Sequence, residues 1–115
     1  MSDYLIRVEL HHEDDYTAFH AAMARRGFTR TIAADDGKIY DLPAGSYHAR
    51  TERDSRAVHA AVASAAAEVQ READIVVART REIVGSGLKP HVKTLGEMAF
   101  DLVADTSTDR KEVNL

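Results

Sequence analysis

The sequence predicts one α+β domain, in which strands with one buried side alternate with two amphipathic helices. Two patterns predict it: apolar residues alternate singly near the start of the chain, and they recur every three to four residues in two later segments. The 115 residues suit one domain, which at this size buries enough core to fold without a disulfide or a structural metal. The sequence has no cysteine, which excludes thiolate metal sites and cysteine nucleophiles.

The spacing of apolar residues changes between the first strand and the first helix. Residues 4–10 alternate apolar and polar side chains, which predicts a strand with one buried face. Asp14 and Asp15 then stand where a helix N-cap belongs, and acidic side chains there also favour the positive end of the helix dipole. From Tyr16 the spacing is helical, and Gly27 stands where a left-handed C-cap is expected. We therefore predict a helix over residues 15–26.

The second and third strands form a predicted hairpin. Residues 28–34 read as a strand with Phe28, Arg30 and Ile32 on one face. Asp35-Asp36-Gly37-Lys38 is the turn, because Asp-Gly tolerates the positive dihedral angles of a tight turn. The third strand runs from Ile39 towards Arg50, with a bulge or bend at Pro43-Ala44-Gly45, because proline donates no hydrogen bond to a sheet.

The second helix and the fourth strand complete the pattern. Residues 51–55 supply a cap, and a helix from Ala57 to Glu72 is predicted by the apolar seam of Val58, Val62, Ala65 and Val69. Residues 74–81 read as the fourth strand, built around Ile75, Val76 and Val77.

This order predicts a ferredoxin-like βαββαβ domain over residues 4–84, with an antiparallel sheet and two helices on one face. A C-terminal extension follows at 85–104, as a short helix or an added edge strand, and 105–115 is predicted to be a flexible tail. The extension carries five apolar side chains, namely Leu95, Met98, Phe100, Leu102 and Val103. Because these side chains need a place to be buried and sheet edges need covering, we expect a homodimer that uses this extension.

Composition narrows the function classes. The net charge of −4 weighs against a dedicated nucleic-acid binder, although a local basic patch remains possible. The chain has no glycine-rich phosphate loop, so no dinucleotide cofactor is expected, and no Gly-x-Ser-x-Gly or His-Glu-x-x-His motif. The start MSDYLIRVEL does not resemble a secretion signal, and no apolar stretch approaches the length of a membrane span. We therefore expect a cytoplasmic protein without a membrane partner.

The stretch LHHEDDY, residues 10–16, concentrates groups that can bind a metal or move protons. His11 and His12 are adjacent, so in an extended chain they point to opposite faces, and one of them could join Asp14 or Asp15 as a ligand of a divalent metal. Acid–base catalysis is a second possibility. The third is a solvated loop that caps the next helix, and the sequence favours it.

Three further groups of residues are candidates. His20 lies beside Phe19 and Met23 on the first helix and is either a general base or a half-buried structural histidine; for His59 the structural interpretation is favoured. The charged side chains considered for the open face of the sheet are Arg7, Glu9, His48, Arg50, Arg79 and Arg81. Such a face could hold a phosphate, but an ordinary solvated or dimer-forming face is favoured.

The run YLIRVELHHEDDYTAFHAAMARRGFTRTIAADDGKIYDLPAGSYHA resembles the GhoS-type family of small antitoxins described as endoribonucleases. The matching features are the short first strand, the helix that ends before Gly27-Phe28, and a hairpin with Asp-Gly-Lys-x-Tyr-x-Leu-Pro. The resemblance covers about residues 4–82. It implies a ferredoxin-like fold akin to the small CRISPR-associated nucleases, often dimeric, and cleavage of a toxin's messenger RNA. It also implies a catalytic arginine on the first helix, where this chain has His20 or a neighbour.

Two functional hypotheses follow. In the first, the protein is an antitoxin-like endoribonuclease in which His20, His11 and Asp14 are catalytic and Arg25, Arg26 and Arg50 hold the phosphate. It needs no cofactor, with a divalent metal as an open alternative. In the second, the protein is a non-catalytic ferredoxin-like module for dimerisation or for binding a protein or small ligand.

Overall fold

A computed structural model describes residues 1–92 and the backbone of Glu112–Asn114. The elements in chain order are β1 (Ser2–Leu10), α1 (Thr17–Arg25), β2 (Thr31–Ala33), β3 (Ile39–Asp41), β4 (Ser46–Thr51), α2 (Ser55–Glu68), β5 (Ala73–Thr80), β6 (Val84–Ser86) and β7 (Glu112–Asn114). The predicted α+β class, with a small antiparallel sheet and two helices, is confirmed. Neither described helix is long and apolar enough to cross a membrane.

The main sheet has the strand order β4-β1-β5, and both pairings are antiparallel. In its centre Ile6 lies between Tyr47 of β4 and Val77 of β5. Beyond β4, Thr29 and His48 exchange two backbone hydrogen bonds of 2.9 and 2.8 Å. The chain just before β2 therefore runs along the outer side of β4.

The core lies between one face of this sheet and the two helices. β1 alternates as predicted, because its even-numbered residues from Tyr4 to Leu10 are buried while Arg7 and Glu9 are exposed. The helices add the fully buried side chains Phe19, Met23, Val58 and Val62 to the same cluster. Burying a side chain of this kind contributes about 1.5–3 kcal/mol, so this layer supplies much of the stability.

The predicted hairpin and bend are both present. β2 pairs with β3 across Gly37, whose φ of 83° is one that glycine adopts readily. The predicted third strand is divided into β3 and β4 at Pro43-Ala44-Gly45. Gly45 has a φ of 81°, and a Cβ there would lie 2.8 Å from the carbonyl oxygen of Val8 and collide with the Arg7 guanidinium. The bend thus brings the chain close against β1.

The strand predicted over residues 28–34 is shorter and less regular than expected. Phe28 and Ile32 are buried, but Arg30 between them is exposed rather than on their face. The regular strand begins at Thr31, so a simple alternation does not extend back through Arg30.

Helix α2 ends at Glu68 rather than at Glu72 as predicted. Gln70 adopts a left-handed φ of 59°, and its N–H donates to the carbonyl oxygen of Ala67. The N–H of Arg71 donates to the carbonyl oxygen of Ala66, which completes a Schellman motif. Glutamine in place of the usual glycine gave no stop signal in the sequence.

Part of the C-terminal extension lies beside β3, where Pro90 and Tyr40 form an isolated bridge rather than a regular edge strand. Asp41 N–H donates to the carbonyl oxygen of Lys89 at 2.8 Å, and His91 N–H donates to that of Ile39 at 3.0 Å. β7 lies within the segment predicted to be a flexible tail, and its backbone pairs with that of β6. The five apolar side chains expected to form a dimer contact lie outside the described residues.

Candidate functional site

An open groove of about 1440 Å³ lies where the C-terminal end of β1, the start of α1 and the bend before β4 meet. The first turns of α1 form one wall, and the segment from Asp41 to Gly45 forms another. The titratable and charged residues that line it are Arg7, Glu9, His12, Glu13, Asp14, His20, Arg30, Asp41 and His91. It is the place in the described residues where histidines, carboxylates and arginines face a common space.

His20 is held at the groove by a buried tyrosine. Its Nδ1 lies 2.7 Å from the hydroxyl oxygen of Tyr47, which is completely buried between the sheet and the helices. The His20 ring also stands near the rings of Tyr16 and Tyr47, with centroid distances of 6.0 and 5.8 Å. These contacts fix the imidazole plane against the core.

Electrostatics favours the neutral form of His20. Partial burial lowers the pKa of its imidazole, the positive charge of Arg30 lowers it further, and Asp15 opposes both. Burial raises the pKa of the Tyr47 hydroxyl to about 12, so this group stays protonated at neutral pH. A neutral imidazole with one nitrogen bonded to a phenol can act as a proton acceptor through its other nitrogen.

The two adjacent histidines diverge, as the sequence predicted. His12 has a left-handed φ of 56° and lines the groove. His11 turns towards β5, where its Nε2 lies 3.0 Å from Oδ1 of Asp74 and its Nδ1 lies 3.8 Å from Glu72. The hydrogen bond to Asp74 raises the pKa of His11. The structure therefore separates His11 from His20, and His12 stands in the position expected for His11.

The carboxylates of the loop make local hydrogen bonds or line the groove. Asp15 Oδ1 accepts from the Thr17 N–H at 2.9 Å, but the N-cap residue of α1 is Tyr16 rather than Asp14 or Asp15, and it makes no side-chain capping hydrogen bond. Glu13 accepts from the Asp15 N–H at 3.0 Å and from the Arg71 guanidinium at 2.9 Å. Hydrogen bonds lower the pKa of both, from Thr17 for Asp15 and chiefly from the Asp15 backbone for Glu13. Asp14 lines the groove.

The three arginines predicted to hold phosphate lie away from this groove. Arg25 and Arg26 both pair with Glu68 of α2, the latter at 3.1 Å, and so link the two helices. Arg50 lies opposite Asp3 on the open face of the sheet, outside the residues that line the groove. A phosphate in the groove would meet Arg7 and Arg30 instead. The sequence predicts Arg7 on the open face of the sheet and Arg30 inside a strand. It therefore does not predict that either arginine shares a site with His20.

The open face of the sheet is less basic than the sequence suggested. The register places Arg79 opposite Tyr4, whose side chain lies on the helix-covered face. On the open face, His48 Nε2 lies 2.9 Å from Oδ1 of Asp3. Val76 is 63% exposed on the same face. This surface is a mixture of paired charges and apolar side chains rather than a phosphate-binding sheet.

Opposite charges are nearly balanced in the groove. An oxygen of Asp41 is 2.9 Å from Nδ1 of His91, and Glu13 is paired with Arg71. The groove is also lined by two further carboxylates and two arginines, namely Glu9, Asp14, Arg7 and Arg30. Within residues 1–92, no three histidine or carboxylate side chains gather as a metal site. Comparison of the chain with protein-family models, with curated proteins and with solved structures gave no match.

Proposed function

We propose that this protein is a small endoribonuclease of the antitoxin type, and that it acts on RNA in the groove beside His20. The observation that carries the proposal is the His20 imidazole, neutral at neutral pH, bonded to Tyr47 and placed in one groove with Arg30. A general base can take the proton of the attacking hydroxyl, and a guanidinium can stabilise the charge that develops on the phosphate. The resemblance of residues 4–82 to the GhoS-type family supports the same function.

The ferredoxin-like βαββαβ topology is part of this proposal. With Thr29 beside β4, the main sheet gains a neighbour in the position of the second strand of that fold. β3 and β4 would then be the two halves of a single third strand divided at the bend. The order of strand segments, second-third-first-fourth, is the one that a split βαβ repeat produces.

Cleavage of a labelled single-stranded RNA by the purified full-length chain tests the function. We expect His20→Asn to lower the rate by about 100-fold, because general acid–base catalysis contributes roughly 10²–10⁴-fold. Asparagine keeps a polar atom near the position of Nδ1 and so preserves a partner for Tyr47. The matched control is His59→Ala on the exposed surface of α2, for which we expect the parental rate.

Two outcomes would contradict the proposal. Absence of RNA cleavage by the parent protein would remove the function, and an unchanged rate in His20→Asn would show that His20 is structural. Circular dichroism of each variant shows whether the fold is retained.

A second function is favoured by one observation, the 63% exposure of Val76 on β5. β5 is an edge of the described three-stranded sheet, and an exposed apolar edge is suited to pairing with another chain. A non-catalytic module for homodimerisation would use this edge. Light scattering on the parent and on Val76→Lys separates the two functions, because a dimerisation module would lose its dimer in the variant while a groove ribonuclease would keep its activity.

A further inference from the structure

Three imidazoles line the groove; that of His91 is paired with Asp41, and the other two come from different elements. His12 belongs to the loop after β1, and His20 belongs to α1. Arg7 and Arg30 line the same groove. Imidazole accepts and donates protons near neutral pH, and guanidinium matches the geometry of phosphate oxygens. The groove therefore contains both a proton acceptor and a proton donor, together with two positive charges.

We infer, on the basis of the ribonuclease function proposed above, that the groove cleaves RNA through the ribose 2′-hydroxyl, with His20 as base and His12 as acid. His20 Nε2 takes the 2′-hydroxyl proton while O2′ forms a bond to phosphorus. The P–O5′ bond breaks, and the leaving O5′ takes a proton from His12. The products are a 2′,3′-cyclic phosphate and a 5′-hydroxyl end. Exchange of protons with water then restores both histidines.

The role of His20 follows from its contact with Tyr47. A hydroxyl group can rotate, so Tyr47 can accept a hydrogen bond from Nδ1–H across their 2.7 Å contact and leave the lone pair on Nε2. Burial and Arg30 keep the ring neutral at neutral pH, against the opposing charge of Asp15. When Nε2 takes up a proton, Nδ1–H still donates to the same tyrosine oxygen. Tyr47 is thus a positioning residue for the base.

The role of His12 follows from the shape of its loop. Its φ of 56° turns it away from His11, which is held by Asp74 on the side of β5. His12 is exposed in the open groove, so it can regain a proton from water after each turnover. Asp14, two residues further along, lines the groove with it.

Arg7 and Arg30 are the groups available for the non-bridging phosphate oxygens. The Arg7 guanidinium donates to the carbonyl oxygen of Ala44 and lies against the backbone of Gly45, which fixes its place at the bend. A guanidinium has five N–H donors, so others remain for a phosphate. Arg30 is exposed and close enough to lower the pKa of both His20 and Tyr47.

The test uses the full-length protein in EDTA and two RNAs of one sequence, one unmodified and one with 2′-O-methyl at every ribose. We expect cleavage of the unmodified RNA alone, and mass spectrometry should find 2′,3′-cyclic phosphate and 5′-hydroxyl ends. His12→Asn should lower the rate by about 100-fold and remove the alkaline limb of the pH–rate profile. Asparagine is chosen because it tolerates a positive φ, and His59→Ala is again the control.

The outcomes separate the mechanism from the function. Products with 3′-hydroxyl and 5′-phosphate ends, cleavage of the methylated RNA, or loss of activity in EDTA would overturn the mechanism while the ribonuclease function stands. A parental rate and pH profile in His12→Asn would overturn the role of His12. Failure to cleave either RNA, with or without Mg²⁺, would overturn the function and the mechanism together.

Discussion

The imidazole of His20 on α1 and the hydroxyl of Tyr47 on β4 are joined by a hydrogen bond of 2.7 Å. The tyrosine ring is fully buried in the core, while the histidine lines the groove. The bond therefore couples the packing of the sheet to the orientation of the proposed base. Two further rings pack on this pair, since Tyr16 lies 6.0 Å from His20 and Phe19 lies 5.7 Å from Tyr47 between ring centroids.

Replacing Tyr47 with phenylalanine removes this bond and leaves the packing nearly unchanged. We expect the free energy of unfolding to fall by about 1 kcal/mol, the usual net value of one hydrogen bond. Cleavage of RNA should fall more than this stability loss explains, because the imidazole is no longer held in one tautomer. Urea denaturation and rate measurements on the same preparation check both effects. Unchanged activity in a folded Tyr47→Phe variant would show that the bond does not position the base.

His11 and His20 should titrate on opposite sides of the ordinary histidine pKa of about 6.5. The hydrogen bond to Asp74 raises the pKa of His11, whereas burial and Arg30 lower that of His20 against Asp15. NMR titration of the imidazole resonances, assigned with His11→Asn and His20→Asn, measures both values. The reverse order, or equal values, would contradict the geometry of the two sites.

The lowered pKa of His20 and the raised pKa of His11 make the stability of the protein depend on pH. A histidine whose pKa is lower in the folded state binds fewer protons than in the unfolded state, so its stabilisation is present above pH 6.5 and is lost as pH falls through the folded pKa. His11 has the opposite sign, with stability present below pH 6.5 and lost as pH rises through its raised pKa. We expect the parent protein to lose more stability than His20→Asn between neutral pH and about pH 5. Equal losses would show that His20 does not contribute.

The fold was more predictable than the site because its signals are local. Alternation in residues 4–10, the Asp-Gly turn and the glycine after α1 each act through neighbouring residues. The groove instead joins the end of β1, the start of α1 and the bend at Gly45, which lie far apart in the sequence. Alternation predicts a strand that includes Arg30, but the regular strand begins at Thr31 and Arg30 is exposed. The sequence predicts that Arg25 and Arg26 hold phosphate, because helix spacing does not show that Glu68 of another helix binds them.

Gly45 and Gly37 offer a test of the close contact at the bend. Both have a positive φ, but a Cβ at Gly37 meets nothing within 4 Å, whereas at Gly45 it would lie 2.8 Å from the carbonyl oxygen of Val8. We expect Gly37→Ala to cost about 1 kcal/mol of stability, the price of a left-handed alanine. Gly45→Ala should cost a further 1–3 kcal/mol or so, because the crowded backbone must move. Equal losses would show that the bend does not press on β1.

The two helices end in the same backbone motif, and substitutions at the two ends should change stability in opposite directions. Gly27 ends α1 with a φ of 87°, and Phe28 N–H donates to the carbonyl oxygen of Met23 while Gly27 N–H donates to that of Ala24. Gln70 ends α2 in the same hydrogen-bonding pattern with a φ of 59°. The two sites therefore differ mainly in whether the left-handed residue carries a side chain.

We expect Gly27→Ala to destabilise the protein by about 1 kcal/mol, because alanine is strained in the left-handed region. Gln70→Gly should stabilise it by about 0.5 kcal/mol, since relief of that strain is partly offset by the greater entropy of glycine in the unfolded chain. Thermal unfolding should show shifts of about 4 °C down and about 2 °C up. Both residues are exposed, so lost packing does not enter the comparison. If Gln70→Gly lowers the melting temperature, the glutamine makes a stabilising contact at the helix end and α2 does not stop there merely by backbone geometry.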